Sequence, residues 1–339
     1  MPGHDIVVVG ASAGGVETLI KLVNDLPADL PASVFVVLHI PAQNPSLLPE
    51  ILSRAGQLKA LHPRNGEAIQ RGCIYVAPPD RHLLVEQGHV HLVRGPKENR
   101  LRPAIDPLFR SAAIAYGPKV VGVVLTGSLD DGTAGLLAIK RLGGVAIVQD
   151  PHEALYPSMP LSALEHVAVD YKLPVSAIGP LIVNLTCEPM DKEGDHFVPE
   201  DMEIEMRMAE MDSSILDGNM KVGTSSAFSC PECGGVLWEI RDGNLERFRC
   251  RVGHAYSIES MMAAQSEGVE EALWAALKTL EESVNLSRRL EDKARKRGQD
   301  WLAQRFREKS QDAEQRAEAI QSVLFKDKTL PMVDIGAHE

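Results

Sequence analysis

Residues 5–25 read DIVVVGASAGGVETLIKLVND: a β-branched run, a turn of small residues, then Val16, Leu19, Ile20 and Val23 in helical spacing. A strand over 5–9 feeding a helix over 14–25 is the opening half of a βαβ unit. The next apolar run, SVFVVL at 33–38, is a second strand, and a right-handed crossover lays the two side by side in parallel. Further strand-like runs at 74–77, 120–126 and 145–149 alternate with helical stretches at 107–116 and 134–142, the latter closed by Gly143-Gly144. The pattern predicts an α/β domain, a doubly wound and mostly parallel sheet with helices on both faces. Runs at 82–86 and 89–93 around Gln87-Gly88 predict an antiparallel hairpin at one edge of that sheet.

The full chain has 339 residues, 44% hydrophobic and 24% charged, which excludes wholesale disorder and predicts more than one domain. With 35 Lys+Arg against 47 Asp+Glu the net charge is −12. A surface this acidic argues against nucleic acid or anionic lipid as a partner, because both require clustered cations. No apolar run reaches the roughly 18 residues that a membrane span needs, and the N-terminus lacks a basic region and a cleavage site. A cytoplasmic protein without membrane insertion is expected.

The α/β pattern occupies residues 1–187. Residues 188–228 carry eleven acidic and three basic residues and are read as an acidic linker. Within it 201–211 has the pattern of a short docking helix, but a solvated linker is favoured. Residues 229–257 hold three of the five cysteines, and 258–326 has the periodicity of an α-helical hairpin folded near Gly298. That hairpin is expected to serve interaction or dimer formation, the alternative being that it packs on its own α/β domain; 327–339 reads as a frayed tail.

Gly10-Ala11-Ser12-Ala13-Gly14-Gly15 sits where strand becomes helix and fits two motifs. As a phosphate loop it places Ser12 where a pyrophosphate needs glycine, and the second strand ends in Leu38-His39 rather than in an acidic ribose ligand. As G-x-S-x-G it is a nucleophile elbow with its serine raised above the sheet. A serine hydroxyl needs an imidazole base, and the base needs a carboxylate to fix its tautomer. In a parallel sheet His39, at the end of the second strand, becomes a neighbour of Ser12. The strand at 120–126 runs into Gly127-Ser128-Leu129-Asp130-Asp131-Gly132 and brings Asp131 to the same edge. Asp131 could instead simply cap the following helix.

Five stretches, VVVGASAGGVETL at 7–19, VVLHIP at 36–41, IYVAPPDRHLLV at 74–85, RPAIDPLFRSAA at 102–113 and VVLTGSLDDGTAGL at 123–136, give residues 5–185 a dense, ordered likeness. This region resembles the catalytic domain of the chemotaxis protein-glutamate methylesterases, the CheB family. The resemblance implies that Ser12 is the nucleophile, His39 the general base and Asp131 its orienting carboxylate, with no cofactor for catalysis. It implies hydrolysis of glutamate γ-methyl esters, with glutamine deamidation as a second activity, on methyl-accepting chemotaxis receptors or similar signalling proteins. The backbone N–H of Ala13 and one from the turn 127–129 are the expected oxyanion donors. In that turn Ser128 and Leu129 stand where the family more commonly has Met and Gly. Arg102, Asp106 and Arg110 are expected either to line the cleft or to pair on a helix face. Many family members carry an upstream receiver domain, which this chain has no room for, so control by one within the polypeptide is not expected.

Cys230-Pro-Glu-Cys233, then Cys250 and His254, have the spacing of a closed, structural Cys3His zinc site bracketing a short hairpin, 236–240 and 247–249. A redox Cys-x-x-Cys is less apt because no strand-helix context surrounds it. The rival to an esterase is a catalytically idle adaptor that recruits partners through its zinc and helical tail.

Overall fold

The structure, a computed structural model, describes residues 3–189, 196–210 and 223–326. The expected tail at 327–339 and much of the expected linker therefore lie outside the described residues. Strand β1 (Ile6–Ala11) is buried along its whole length. Its alternate side chains go to opposite faces: Ile6 and Val8 join one core, Val7, Val9 and Ala11 the other. Each fully buried valine contributes roughly 1.5–3 kcal/mol of transfer free energy. β-Branched residues with a core on both sides make a central parallel strand.

With β2 (Ser33–Leu38), β3 (Lys59–Leu61), β4 (Cys73–Val76), β7 (Val120–Val124), β8 (Val145–Gln149) and β9 (Tyr171–Leu173), β1 forms a seven-stranded sheet ordered β3-β4-β2-β1-β7-β8-β9. Every pairing in it is parallel. Helices α1 (Gly15–Asn24), α2 (Leu48–Ala55) and α6 (Val175–Cys187) cover one face. Helices α3 (Ile105–Tyr116), α4 (Thr133–Arg141) and α5 (Ser158–His166) cover the other. The chain leaves β1 toward β2 and later returns on the opposite side as β7. That reversal opens a crevice beyond the carboxyl ends of β1, β2 and β7, where this class of sheet carries its ligands.

Two expectations are corrected. The hairpin β5 (His82–Glu86) and β6 (His89–Val93) has the expected strands but forms its own two-stranded sheet rather than an edge of the large one. The reason lies in its alternation: Leu83, Val85 and Val90 enter the core around Phe109, while Leu84 and Val93 face Met206. Residues 200–209 of the expected solvated linker form α7 (Glu200–Ala209), which buries Met202, Glu205, Met206 and Met208.

The cysteine segment is a four-stranded antiparallel sheet, β10 (Thr224–Ser229), β11 (Val236–Asp242), β12 (Leu245–Cys250) and β13 (Ala255–Ser257), turned at Gly243-Asn244. It belongs to the same compact unit as the α/β domain, which runs to Met261. What seats it is a buried ion cluster. Glu98, before α3, accepts from Arg110 Nη2 at 2.7 Å and Arg249 Nη1 at 3.1 Å; Glu205 accepts from Arg249 Nη2 at 2.8 Å and from both Arg247 Nη atoms, each at 2.8 Å. Burial opposes ionisation of Glu98 and Glu205, but the surrounding guanidinium charges outweigh it and hold both carboxyls below the usual range.

From Met262 onward the chain is a second unit. Helices α8 (Ile258–Lys296) and α9 (Asp300–Lys326) fold back at Gly298, whose φ of 71° suits glycine, and bury Leu277, Val284, Ala303, Ala313 and Ala317 along their seam. Among the described residues no helix is long and apolar enough to cross a membrane.

Candidate active site

Ser12 follows the last residue of β1 and His39 the last of β2, and the register pairs Ala11 with Leu38. The His39 N–H donates to the Ala11 carbonyl at 3.2 Å, so the two candidate residues leave adjacent strands side by side. The elbow is held from the β7 side as well. Ser12 N–H donates to the Thr126 carbonyl at 3.0 Å, and the Thr126 hydroxyl donates to the Ala13 carbonyl at 3.1 Å. Gly14 turns the chain into α1 with φ of 70°. A Cβ on Gly127 would come within 2.7 Å of the Ser12 Cβ, so only glycine lets the β7 turn lie this close to the elbow.

The His39 Nε2 and Asp131 Oδ2 are 2.7 Å apart. An ionised carboxylate only accepts, which puts the proton on Nε2 and leaves Nδ1 as the basic nitrogen. Asp131 is 2% exposed and fully provided with donors. Its Oδ2 also receives the Ile105 N–H at 2.7 Å; its Oδ1 receives Asn99 Nδ2 at 3.0 Å and the Asp106 N–H at 3.3 Å. Burial alone would raise the carboxyl, but the hydrogen bond and charge of His39, with the Ile105 and Asn99 donors, more than offset it and hold Asp131 below the usual range. Neighbouring Asp106 moves the other way, pushed well up by burial and by the Asp131 charge.

Beside His39 opens a pocket of about 610 Å³ whose lining includes Arg94, Lys97, Arg100, Arg102 and Asp80. Its cations are held by carboxylates, Arg94 and Arg102 by Asp80 and Lys97 by Glu232. Arg102 lines it while paired to Asp80, with Nε at 2.8 Å and Nη2 at 2.5 Å. Asp106 and Arg110 do not reach the cleft. Asp106 accepts the Gly132 and Gly135 N–H groups at the start of α4, and Arg110 is in the buried ion cluster.

The family described as CheB methylesterase matches residues 7–182, just over half of the chain, and spans all three groups at this sheet edge. The chain belongs to the CheB methylesterase family. A protein-glutamate methylesterase/protein-glutamine glutaminase 2 of Methanosarcina mazei is 33% identical over 190 residues, 54% of this chain and 52% of its own length. A Leptospira interrogans protein, provisionally given the name protein-glutamate methylesterase/protein-glutamine glutaminase, is 38% identical over 183 residues and is covered over 95% of its length. The crystal structure of the Thermotoga maritima CheB methylesterase catalytic domain superposes with a TM-score of 0.52 at 34% identity, over 53% of this chain and 98% of that one.

Within this CheB fold the turn after β7 carries its own signature. Leu129 has φ of 61°, the left-handed region where glycine is at ease. The Gly127 N–H is committed to the Tyr156 carbonyl at 2.9 Å, so of the expected oxyanion donors in this turn only those of Ser128 and Leu129 are left.

Beyond the matched region, Cys230, Cys233, Cys250 and His254 converge with their ligand atoms within 4.8 Å of one another. Cys233 Sγ and Cys250 Sγ are 3.7 Å apart; His254 Nδ1 lies 3.5 Å from Cys250 Sγ and 3.7 Å from Cys230 Sγ. A tetrahedral zinc with bonds of about 2.3 Å to sulfur and 2.0–2.1 Å to nitrogen has ligand edges of about 3.8 Å and 3.5 Å, so the donor set has the right chemistry and size. Sequence reasoning missed Asn99, Ser257 and Ser260: none lies in a motif, and their significance exists only once distant segments meet.

Proposed function

We propose that this chain is a protein-glutamate methylesterase acting on chemotaxis-type receptors, with Ser12 as nucleophile, His39 as base and Asp131 as the carboxylate that orients it. The observation that carries this reading is the 2.7 Å contact between His39 and a buried, ionised Asp131 at the sheet edge where the Ser12 elbow emerges. Ser12 Oγ attacks the ester carbonyl carbon while His39 Nδ1 takes its proton; the tetrahedral intermediate collapses as that proton passes to departing methanol. Water then attacks the acyl-enzyme, gives its proton to His39 and frees the glutamate, and the proton returns to Ser12. The Ala13 N–H, at the mouth of α1, and an N–H of Ser128 or Leu129 serve the oxyanion. The relatives' names add glutamine deamidation as a second activity. Wild-type protein should release methanol from methylated receptor, and Ser12→Ala should lose on the order of 10⁴-fold or more in kcat. Equal rates for the two would overturn the assignment.

The same reading gives residues 1–187 the catalysis and 229–257 a structural zinc held by Cys230, Cys233, Cys250 and His254. A closed four-ligand shell supplies folding free energy and no chemistry. Elemental analysis should find about one zinc per chain, lost together with stability in Cys250→Ser; full retention of the metal in that variant would exclude this ligand set.

A further inference from the structure

Asn99 occupies the first corner of a tight turn in which Glu98 N–H and Leu101 O, and Leu101 N–H and Glu98 O, pair at 3.3 and 2.9 Å. Its φ of 50° and that of Arg100, 70°, give both corners a left-handed backbone, which asparagine tolerates better than most residues. The turn is clasped by β13: Asn99 N–H donates to the Ala255 carbonyl at 2.8 Å and Ala255 N–H to the Lys97 carbonyl at 3.3 Å. The side chain is buried and fully used. Nδ2 gives one proton to Asp131 Oδ1 at 3.0 Å and one to Asp106 Oδ2 at 2.9 Å. Oδ1 accepts the Ser257 N–H at 3.1 Å and the Ser260 hydroxyl at 3.2 Å.

An amide can be turned over without changing its shape, so its direction must be set by a partner of fixed polarity. The Ser257 backbone N–H can only donate. That N–H, shared with Ser260 Oγ at 2.9 Å, and the ionised Asp131 carboxylate, which can only accept, together place the oxygen toward β13 and both Asn99 protons toward the carboxylates. Ser257 Oγ also donates to Asp130 Oδ1 at 2.7 Å, so the cysteine module grips the residue next to Asp131 as well. Ser257 closes the strand that begins immediately after His254, and Cys250 N–H donates to the His254 carbonyl at 3.0 Å. Cysteine knuckle, β13, Asn99, Asp131 and His39 are thus joined by consecutive hydrogen bonds.

We infer that Asn99 is a positioning residue for the esterase and that the C-terminal module completes the triad by anchoring the oxygen of its amide. The inference rests on the triad reading only for its kinetic consequence. Removing the Asn99 protons leaves Asp131 Oδ1 with one donor fewer and makes that carboxylate more basic, which raises the pH at which it binds a proton.

The test uses the full chain. Asn99→Ala should lower kcat for methyl-ester hydrolysis about 10–100-fold with KM little changed, the size expected for an outer partner of a catalytic group. The acid limb of the pH–rate profile should move to higher pH. Ser257→Ala with Ser260→Ala, which keeps the Ser257 N–H, should move both in the same direction by less. Adding these changes to Asn99→Ala should cost little more, because the path is already cut. A merely structural role would lower the amount of folded enzyme without moving the profile. A second readout does not need turnover: the downfield proton resonance of His39 Nε2–H on Asp131 should shift or broaden in Asn99→Ala and in the serine double variant. An Asn99→Ala protein with wild-type kcat, profile and resonance would overturn the inference. Wild-type protein that hydrolyses no methyl ester would instead defeat the esterase reading, and the resonance would still decide the positioning claim. Should Asn99→Ala fail to fold, Asn99→Gly, which suits the left-handed backbone there and also removes both protons, carries the same two readouts, and no change in either would overturn the inference.

Discussion

Leu129 shows how much one backbone angle can demand. Holding a non-glycine residue in the left-handed region costs roughly 1–2 kcal/mol, while glycine costs about 0.5–1 kcal/mol in unfolded-chain entropy. Leu129→Gly should therefore be neutral to stabilising by up to about 1.5 kcal/mol and preserve the turn. Leu129→Ile, with its branch at Cβ, should lose more than about 1 kcal/mol and lower kcat, because the N–H groups next to it move away from the oxyanion. Urea unfolding and steady-state rates would check both; an isoleucine variant as stable and active as wild type would show that the turn is not under this strain. The sequence marks this position, since Leu129 stands where the family more commonly has glycine, but the angle itself had to be seen. That Ser12, His39 and Asp131 come to one sheet edge was legible because each ends or follows a strand whose register topology fixes. Asn99 was not, because four groups from four segments give it its role.

At the scale of elements, the least legible region was 188–228. Eleven acidic residues read as solvation when counted along the chain, yet Glu205 of α7 is buried against Arg247 and Arg249, which come more than forty residues later. Charge counting along a sequence cannot see a partner that folding supplies. Removing one member of such a cluster strands the others and costs roughly 3–5 kcal/mol. The junction of β13 and the start of α8 with the turn after β7 has a different sensitivity. Burial raises the Asp130 carboxyl, the Ser257 hydroxyl pulls it back and Glu259 and Asp131 add to the rise, leaving it at about 8. Because the folded value lies above the unfolded one, folding holds an extra proton between them, and stability falls as pH rises toward and through about 8. Urea midpoints should decline from pH 6 to 9, and Asp130→Asn, which stays neutral, should flatten that decline. An equal slope in the variant would place the titration elsewhere.

For the whole molecule, alternation of β-branched runs and amphipathic stretches was enough to specify a doubly wound sheet, because a strand buried on both faces leaves few alternatives. The short β3 and β9 escaped notice since three residues carry no period, and the hairpin was misplaced because its strand boundaries say nothing about which surface receives it. Central placement of β1 has one more consequence. Its first neighbour, β2, follows within 40 residues, but its second begins at Val120. On the ribosome, at about 5–20 residues per second, one flank of this all-apolar ribbon waits several seconds for its mate. A nascent chain stalled in that interval presents an open, sticky border, and such a border invites chaperones or aggregation. Synthesis of this protein should be most vulnerable before β7 leaves the exit tunnel.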